Sequence, residues 1–223
     1  MGAAFTPDGQ KLVAAGVDSV AVWETTSFQR SPVQYAHVAH LSSVAVSPDG
    51  RRAAAADVNG DVRIWDLENA RPILSLLSTP PLTNALVNLH AAMVARPLPP
   101  LHAHKSRVNA VAFSPKGDVF ATCGMDGYTY LWDARTFKRI ARFQGHASGV
   151  RCLAFSPDGT RLATGGFDAI IRVWDVAKGS QLMRLHGHAD VIHCVTFSHD
   201  GRYIASGSLD RTVKIWDTRE NSP

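Results

Sequence analysis

Cysteine is scarce in this chain: Cys123, Cys152 and Cys194 are the three among 223 residues. The count is odd, no pair has CxxC spacing, and each stands inside an apolar, strand-like run. That argues against a disulfide framework and a metal centre, and for buried free thiols in a reducing compartment. Long apolar runs are missing too. None reaches membrane-spanning length, and the N-terminus lacks the basic-then-apolar layout of a secretion signal. No membrane partner is expected, and the expected location is cytoplasmic or nuclear. Nor does one sign of charge dominate. Lys and Arg number 23 against 19 Asp and Glu, a net charge of +4, with the basic residues scattered along the chain. Without a basic stripe, nucleic acid is a disfavoured partner. There is no Gly-rich phosphate loop, and no cofactor is expected. The opening "MGAAFT" fits a myristoylation pattern. It also aligns residue for residue with "RCLAFS" at 151–156, so local structure accounts for it.

What is present is a period. Tryptophans stand at 23, 65, 132, 174 and 216, with spacings of 42, 67, 42 and 42. The turn signals "TPDG", "SPDG", "SPKG", "SPDG" and "SHDG" begin at 6, 47, 114, 156 and 198 on the same beat. His37, His104, His146 and His188 precede Trp65, Trp132, Trp174 and Trp216 by one constant interval. The single long gap, between Trp65 and Trp132, is one period plus an insertion. Within a repeat, short β-rich runs alternate with turn chemistry. Pro157 presets φ, Asp158 tolerates the second corner, and Gly159 takes the position of positive φ. Four short antiparallel strands per repeat follow. A lone sheet of that kind has two apolar faces and cannot bury both, so the repeats must stack.

Gly-His, a fixed interval to Trp-Asp, the recurring tryptophan spacing and SPDG turns together resemble the WD40 family of β-propellers, over essentially the whole chain outside residues 78–100. The fold expected is all-β, a WD40 propeller of five recognisable four-stranded blades, the first and last incomplete. Residues 1–77 would form two degenerate blades and residues 101–219 three well-formed ones, with a short tail at 220–223. The spare strand that closes such rings is found at neither end, which points to a shortened chain. The array must then form a five-bladed ring, or stay open and need further blades or a partner. The insertion at 78–100 is bracketed by Pro80-Pro81 and Pro99-Pro100. Leu82, Leu86, Leu89 and Met93 fall at helical spacing within it. It reads as a short helix, either packed on the rim or engaging a partner.

The resemblance implies a buried tetrad of His, Ser or Thr, Asp and Trp in each intact blade. The matching positions are His104, Thr122, Asp126 and Trp132; His146, Thr164, Asp168 and Trp174; and His188, Ser206, Asp210 and Trp216. Three copies at one period speak for architecture over catalysis, and no enzyme is expected. The second repeat has His37, Ala55 and Asn59 at these positions, and the first has no preceding His and is one residue short. Both should be the weaker end of the array.

Function is expected at surfaces, as a protein-protein interaction scaffold. "WDAR" at 132–135 and "WDTR" at 216–219 resemble the box by which WD40 substrate receptors meet the adaptor of a cullin-type ubiquitin ligase. That makes Asp133, Arg135, Asp217 and Arg219 a candidate adaptor rim, since an exposed Arg beside a carboxylate offers a planar donor fork. A plain solvated rim is the other reading. A second surface is a basic channel mouth formed by Lys105, Arg107, Arg151 and His193 near Asp190, suited to a phosphopeptide or, as the alternative, to nucleic acid.

Overall fold

The structure, a computed structural model, describes residues 2–17, 19–31, 35–36, 40–68, 71–72 and 101–219. It is all-β, with five antiparallel sheets and no helix among the described residues. The first sheet holds β1 (Ala3–Phe5), β2 (Lys11–Ala15), β3 (Ser19–Glu24) and β4 (Tyr35–Ala36). The second holds β5 (Leu41–Val46), β6 (Arg52–Asp57), β7 (Asp61–Asp66), β8 (Arg71–Pro72) and β9 (Leu101–His102). The third is β10 (Val108–Phe113), β11 (Val119–Gly124), β12 (Tyr128–Asp133) and β13 (Arg139–Gln144). The fourth is β14 (Val150–Phe155), β15 (Arg161–Gly166), β16 (Ile171–Asp175) and β17 (Gln181–Leu185). The fifth has three strands, β18 (Ile192–Phe197), β19 (Tyr203–Ser208) and β20 (Val213–Asp217). Strands follow one another in chain order across every sheet, save that β9 returns to pair with β7.

The turns form for the reasons their residues supply. In "SPDG" at 156–159, Gly159 N–H donates to Ser156 O at 2.8 Å and Gly159 has φ of 70°. The Ser156 hydroxyl donates to Asp158, and Asp158 Oδ1 accepts the Thr160 N–H at 3.0 Å. Those two bonds draw the Asp158 carboxyl down to about 2. The hydrogen bond from Arg161 N–H to Ser156 Oγ, 2.9 Å, then locks the exit into β15. The same Ser/Thr-to-Asp pattern recurs at Thr6, Ser47 and Ser198.

Four apolar clusters fill the four junctions between consecutive sheets. Val13, Val20 and Val22 of the first sheet meet Leu41, Ala53 and Trp65 of the second. Val62 and Ile64 meet Phe120 and Trp132. Ala121 and Leu131 meet Leu153, Leu162 and Trp174, and Ile171 and Val173 meet Ile192 and Ile204. Each tryptophan from the second sheet onward is thus a plug driven into the preceding sheet. Nothing comparable joins the fifth sheet to the first among the described residues, so the ring is open.

The inserted residues interrupt the second sheet rather than separating two sheets. Its outermost strand is split: Pro72 pairs with Trp65 through β8, and after the insertion Leu101 and His102 pair with Val62 and Asp61 through β9. Leu101 and His102 therefore complete the second blade, whereas a division at residue 101 assigns them to the third. The helical pattern at 82–93, His37 and the tail at 220–223 lie outside the described residues.

Candidate functional site

The polar centre of each later blade is a chain of hydrogen bonds. In the third, the Trp132 indole N–H donates to Thr122 Oγ1 at 3.0 Å, Thr122 Oγ1 lies 2.9 Å from His104 Nε2, and His104 Nδ1 lies 2.9 Å from Asp126 Oδ1. Trp174, Thr164, His146 and Asp168 repeat it with every link at 2.9 Å. Trp216, Ser206, His188 and Asp210 do so at 2.8, 2.8 and 2.7 Å. Within each chain, an Nδ1–H donating to the carboxylate and an Nε2 accepting from the hydroxyl give every link a donor and an acceptor; in the fourth blade Arg172 Nη1 also lies 2.9 Å from His146 Nδ1. Each chain links the inter-blade loop (His), β-strand two (hydroxyl), the turn after it (Asp) and strand three (Trp).

Burial works against the Asp168 carboxylate, but the His146 hydrogen bond and the charge of Arg172 outweigh it and hold Asp168 well below the usual range. Arg172 Nη1 stands 2.8 Å from Asp168 Oδ2. Burial in turn lowers His146, against the pull of Asp168 and with help from Arg172. Asp126 is lowered in the same way through His104, again against burial. Asp210 is lowered chiefly by the Thr212 hydroxyl and by His188. Ser206, His188 and Asp210 have the distances of a hydrolase triad. Yet Ser206 is 1% exposed, and its oxygen already receives the Trp216 N–H. A substrate carbonyl cannot reach it, and the group works as a strand clamp.

The second blade has replaced its tetrad with a buried ionic cluster. Asp57 Oδ1 accepts the N–H groups of Asn59 and Asp61, both at 2.9 Å. Arg63 is buried, which lowers it, and the Asp61 and Asp57 carboxylates compensate. His102 Nδ1 lies 2.6 Å from Asp61 Oδ1. In the first blade Ala14, two residues along β2 from the Leu12 that pairs with Trp23, holds the hydroxyl position, and the Trp23 ring takes the Arg30 guanidinium at 5.7 Å.

The "WDxR" boxes lie on the rim that carries the SPDG turns, since both turn types sit at the same end of antiparallel strands. The two boxes differ. Asp133 Oδ1 caps the following turn, accepting from Arg135 N, Thr136 N and the Thr136 hydroxyl at 3.0, 2.6 and 2.9 Å. Those bonds lower Asp133, Thr136 foremost, and leave the exposed Arg135 side chain with no ion pair among the described residues. In the fifth blade Asp217 Oδ1 likewise accepts the Arg219 N–H at 3.0 Å, but Asp217 also accepts the Arg219 guanidinium at 2.9 Å and that of Arg202 at 3.2 Å. Beside Arg135 a cleft of about 250 Å³ opens between the second and third blades, lined by Pro48, Arg52, Lys116 and Ala134.

The channel-mouth set lies at the opposite end, on the loops that follow His104 and His188 or on the first residues of the innermost strands. Lys105, Arg107, Asp190 and His193 are exposed and Arg151 half-buried. Arg151 and His193 occupy β-bulges, where the pairing skips one residue of β14 and of β18. The same bulge in β5 and β10 holds Ser42 and Asn109. Asn109 Nδ2 donates to Val150 O of the next blade at 2.7 Å, and the Ser42 hydroxyl donates to Val108 O. Periodicity alone gives these two residues no role. A second set also escapes it: Arg52 donates to Ala134 O, and Arg161 to Thr218 Oγ1 at 3.0 Å and Gly201 O at 2.6 Å, clasping one blade to the next. The common signal is an Arg two residues beyond the turn glycine.

A family model described as "WDR90, 4th beta-propeller" matches residues 107–221, just over half of the chain. This chain belongs to the WD40-repeat β-propeller family. A second model, "WD domain, G-beta repeat", matches residues 30–66. Among relatives, Cross-pathway control WD-repeat protein 2 of Flammulina velutipes is 36% identical over 77 residues, 34% of this chain and 24% of that protein. The U3 snoRNP-associated protein-like YAOH of Oryza sativa subsp. japonica is 33% identical over 110 residues, 49% of this chain and 20% of the relative. Methylosome protein WDR77 of Xenopus laevis is 28% identical over 136 residues, 59% of this chain and 33% of the relative. The matches thus span between a fifth and a third of these relatives. As a WD40 propeller, the chain is of a kind that serves as a protein-interaction scaffold.

Proposed function

We propose that this WD40 chain is an interaction platform of the cytoplasm or nucleus that docks an adaptor subunit of a cullin-type ubiquitin ligase on its SPDG rim. The observation that carries the reading is the state of Arg135. Its neighbour Asp133 is spent on the turn backbone, so the exposed Arg135 fork, with no ion pair among the described residues, stands at a cleft lined by Pro48, Lys116 and Ala134 together with Asp49 and Asp118. An unpaired guanidinium beside a partly apolar cleft suits bidentate docking of a carboxylate with little reorganisation. Arg219 must leave Asp217 before it can contribute, so Arg135 is the anchor and Arg219 the auxiliary. Relatives named for a methylosome and a U3 snoRNP also support a role within assemblies.

Pull-down of a cullin-ligase adaptor tests the proposal. Wild type recovers it, Arg135→Ala loses most of the recovery, and Arg219→Ala loses little. Equal recovery by wild type and an Arg135→Ala/Arg219→Ala double variant, or none by either, removes the adaptor reading.

A further inference from the structure

Beyond the rim, the outer circumference of the third blade carries an unused surface. β13 is the outermost strand of its sheet and pairs only with β12, so the backbone groups along its other edge have no strand partner. The stretch "ARTFKRIARFQ" at 134–144 contains Arg135, Lys138, Arg139 and Arg142 and no acidic residue. Lys138, Arg139 and Arg142 are exposed. Three residues apart, Arg139 and Arg142 would face opposite sides of a regular strand. A bulge corrects that: Arg139 pairs with Trp132, Ala141 with Leu131 and Arg142 with Tyr130, which leaves Ile140 as the extra residue.

Both arginines consequently stand over tyrosines of β12. The Arg139 guanidinium lies 5.0 Å from the Tyr130 ring and that of Arg142 5.1 Å from the Tyr128 ring, while the two rings stack at 5.9 Å. Cation–π contact holds two flexible cations in a fixed row and leaves their N–H edges outward. Neither meets a carboxylate among the described residues. No other described outer strand has this combination. β4, β8 and β9 are two residues long, and β17 carries a single arginine, Arg184.

We propose that the free edge of β13 accepts an extended acidic peptide as an added strand, with carboxylates at alternate positions meeting Arg139 and Arg142. A strand edge gives an incoming backbone its hydrogen bonds, and the arginine row selects what that backbone carries. The alternation follows from the register, because the β12 partners of the two arginines, Trp132 and Tyr130, are themselves two apart. A peptide is favoured over a single-stranded nucleic acid because the tyrosine faces are already covered by guanidinium groups and Tyr130 is buried, which leaves no ring for a base to stack on.

The test uses the full chain and a fluorescein-labelled eight-residue peptide alternating glutamate and valine, followed by fluorescence anisotropy. The wild type binds it, and Arg139→Gln/Arg142→Gln weakens binding roughly tenfold or more. N-methylation of every peptide amide abolishes binding, because strand addition needs the alternate N–H groups that face β13. Arg135→Ala leaves the peptide affinity unchanged, so the result stands or falls apart from adaptor docking. A loss under threefold in the double variant, full binding by the N-methylated peptide, or equally tight binding of a single-stranded oligonucleotide would each overturn the proposal.

Discussion

The hydroxyl of Thr164 receives one hydrogen bond and gives one, and that single oxygen connects an indole on strand three to an imidazole in the loop before the blade. Removal of any member of such a chain strands its neighbours, at about 1–3 kcal/mol for each buried group left unpaired. The carboxylates at the far ends make the chains sensitive to acid. His146 titrates below its usual 6.5 because burial disfavours the cation. Between the lowered value and 6.5 the unfolded chain binds more protons than the folded one, so stability falls as pH drops through about 6.5. Asp126, Asp168 and Asp210 are likewise lowered, from 3.8, and their contribution is present above 3.8 and lost as pH falls below it. Urea midpoints should therefore decline in two steps, one starting near pH 6.5 and a steeper one below about pH 4. An Arg172→Met variant, which lifts both Asp168 and His146, should show a weaker first step; a flat midpoint from about pH 7.5 to about pH 4 would remove this account.

At the scale of the element, the innermost strands do more than line the channel. Their bulges turn one residue per blade out of the pairing, and in β5 and β10 that residue is a polar side chain that reaches the next blade. Asn109 is buried, so Asn109→Ala should cost about 1–2 kcal/mol by leaving the Val150 carbonyl without its donor. Arg151→Ala, at the same bulge one blade later but half-buried, should cost under about 0.5 kcal/mol. Chemical denaturation of both variants checks the contrast, and equal losses would mean that the bulge side chains do not bridge blades. The sequence made the strands themselves legible: tryptophan spacing, turn residues and Gly-His pairs place nearly every one. It did not show the bulges, because one skipped residue leaves the tryptophan period intact. Nor did it show that the insertion splits an outer strand, since only the pairing of Leu101 and His102 with Val62 and Asp61 reveals that.

For the whole molecule, the decisive feature is an uncovered face. Ile171 and Val173 of the fourth blade are both 0% exposed, packed against Ile192 and Ile204. Their counterparts on the fifth blade, Val213 and Ile215, are 74% and 64% exposed. Exposed apolar strand faces of this kind drive association. Val213→Ser/Ile215→Ser should lower self-association in light scattering and leave the unfolding free energy within about 0.5 kcal/mol, because little buried area is lost. Ile171→Ser/Val173→Ser, the same change one blade earlier, should cost several kcal/mol. A comparable loss from both pairs would show that the fifth blade's face is covered in solution.

Residue order alone determined the unit: four short strands, the turn at each glycine, a Trp in every repeat, and a His, hydroxyl and Asp that return with it in the last three. Those are local patterns, written in propensity and spacing, and a repeat copies them faithfully. Stacking decided what a repeat cannot carry. It left Asp133 to its turn while Asp217 also holds two arginines, set Arg139 and Arg142 on one face, filled the place of a lost tetrad with Asp57, Asp61 and Arg63, and left one blade's valine and isoleucine wet. Each of those outcomes depends on what lies across a junction or across a bulge, and the distance between such neighbours is a property of the packed sheets.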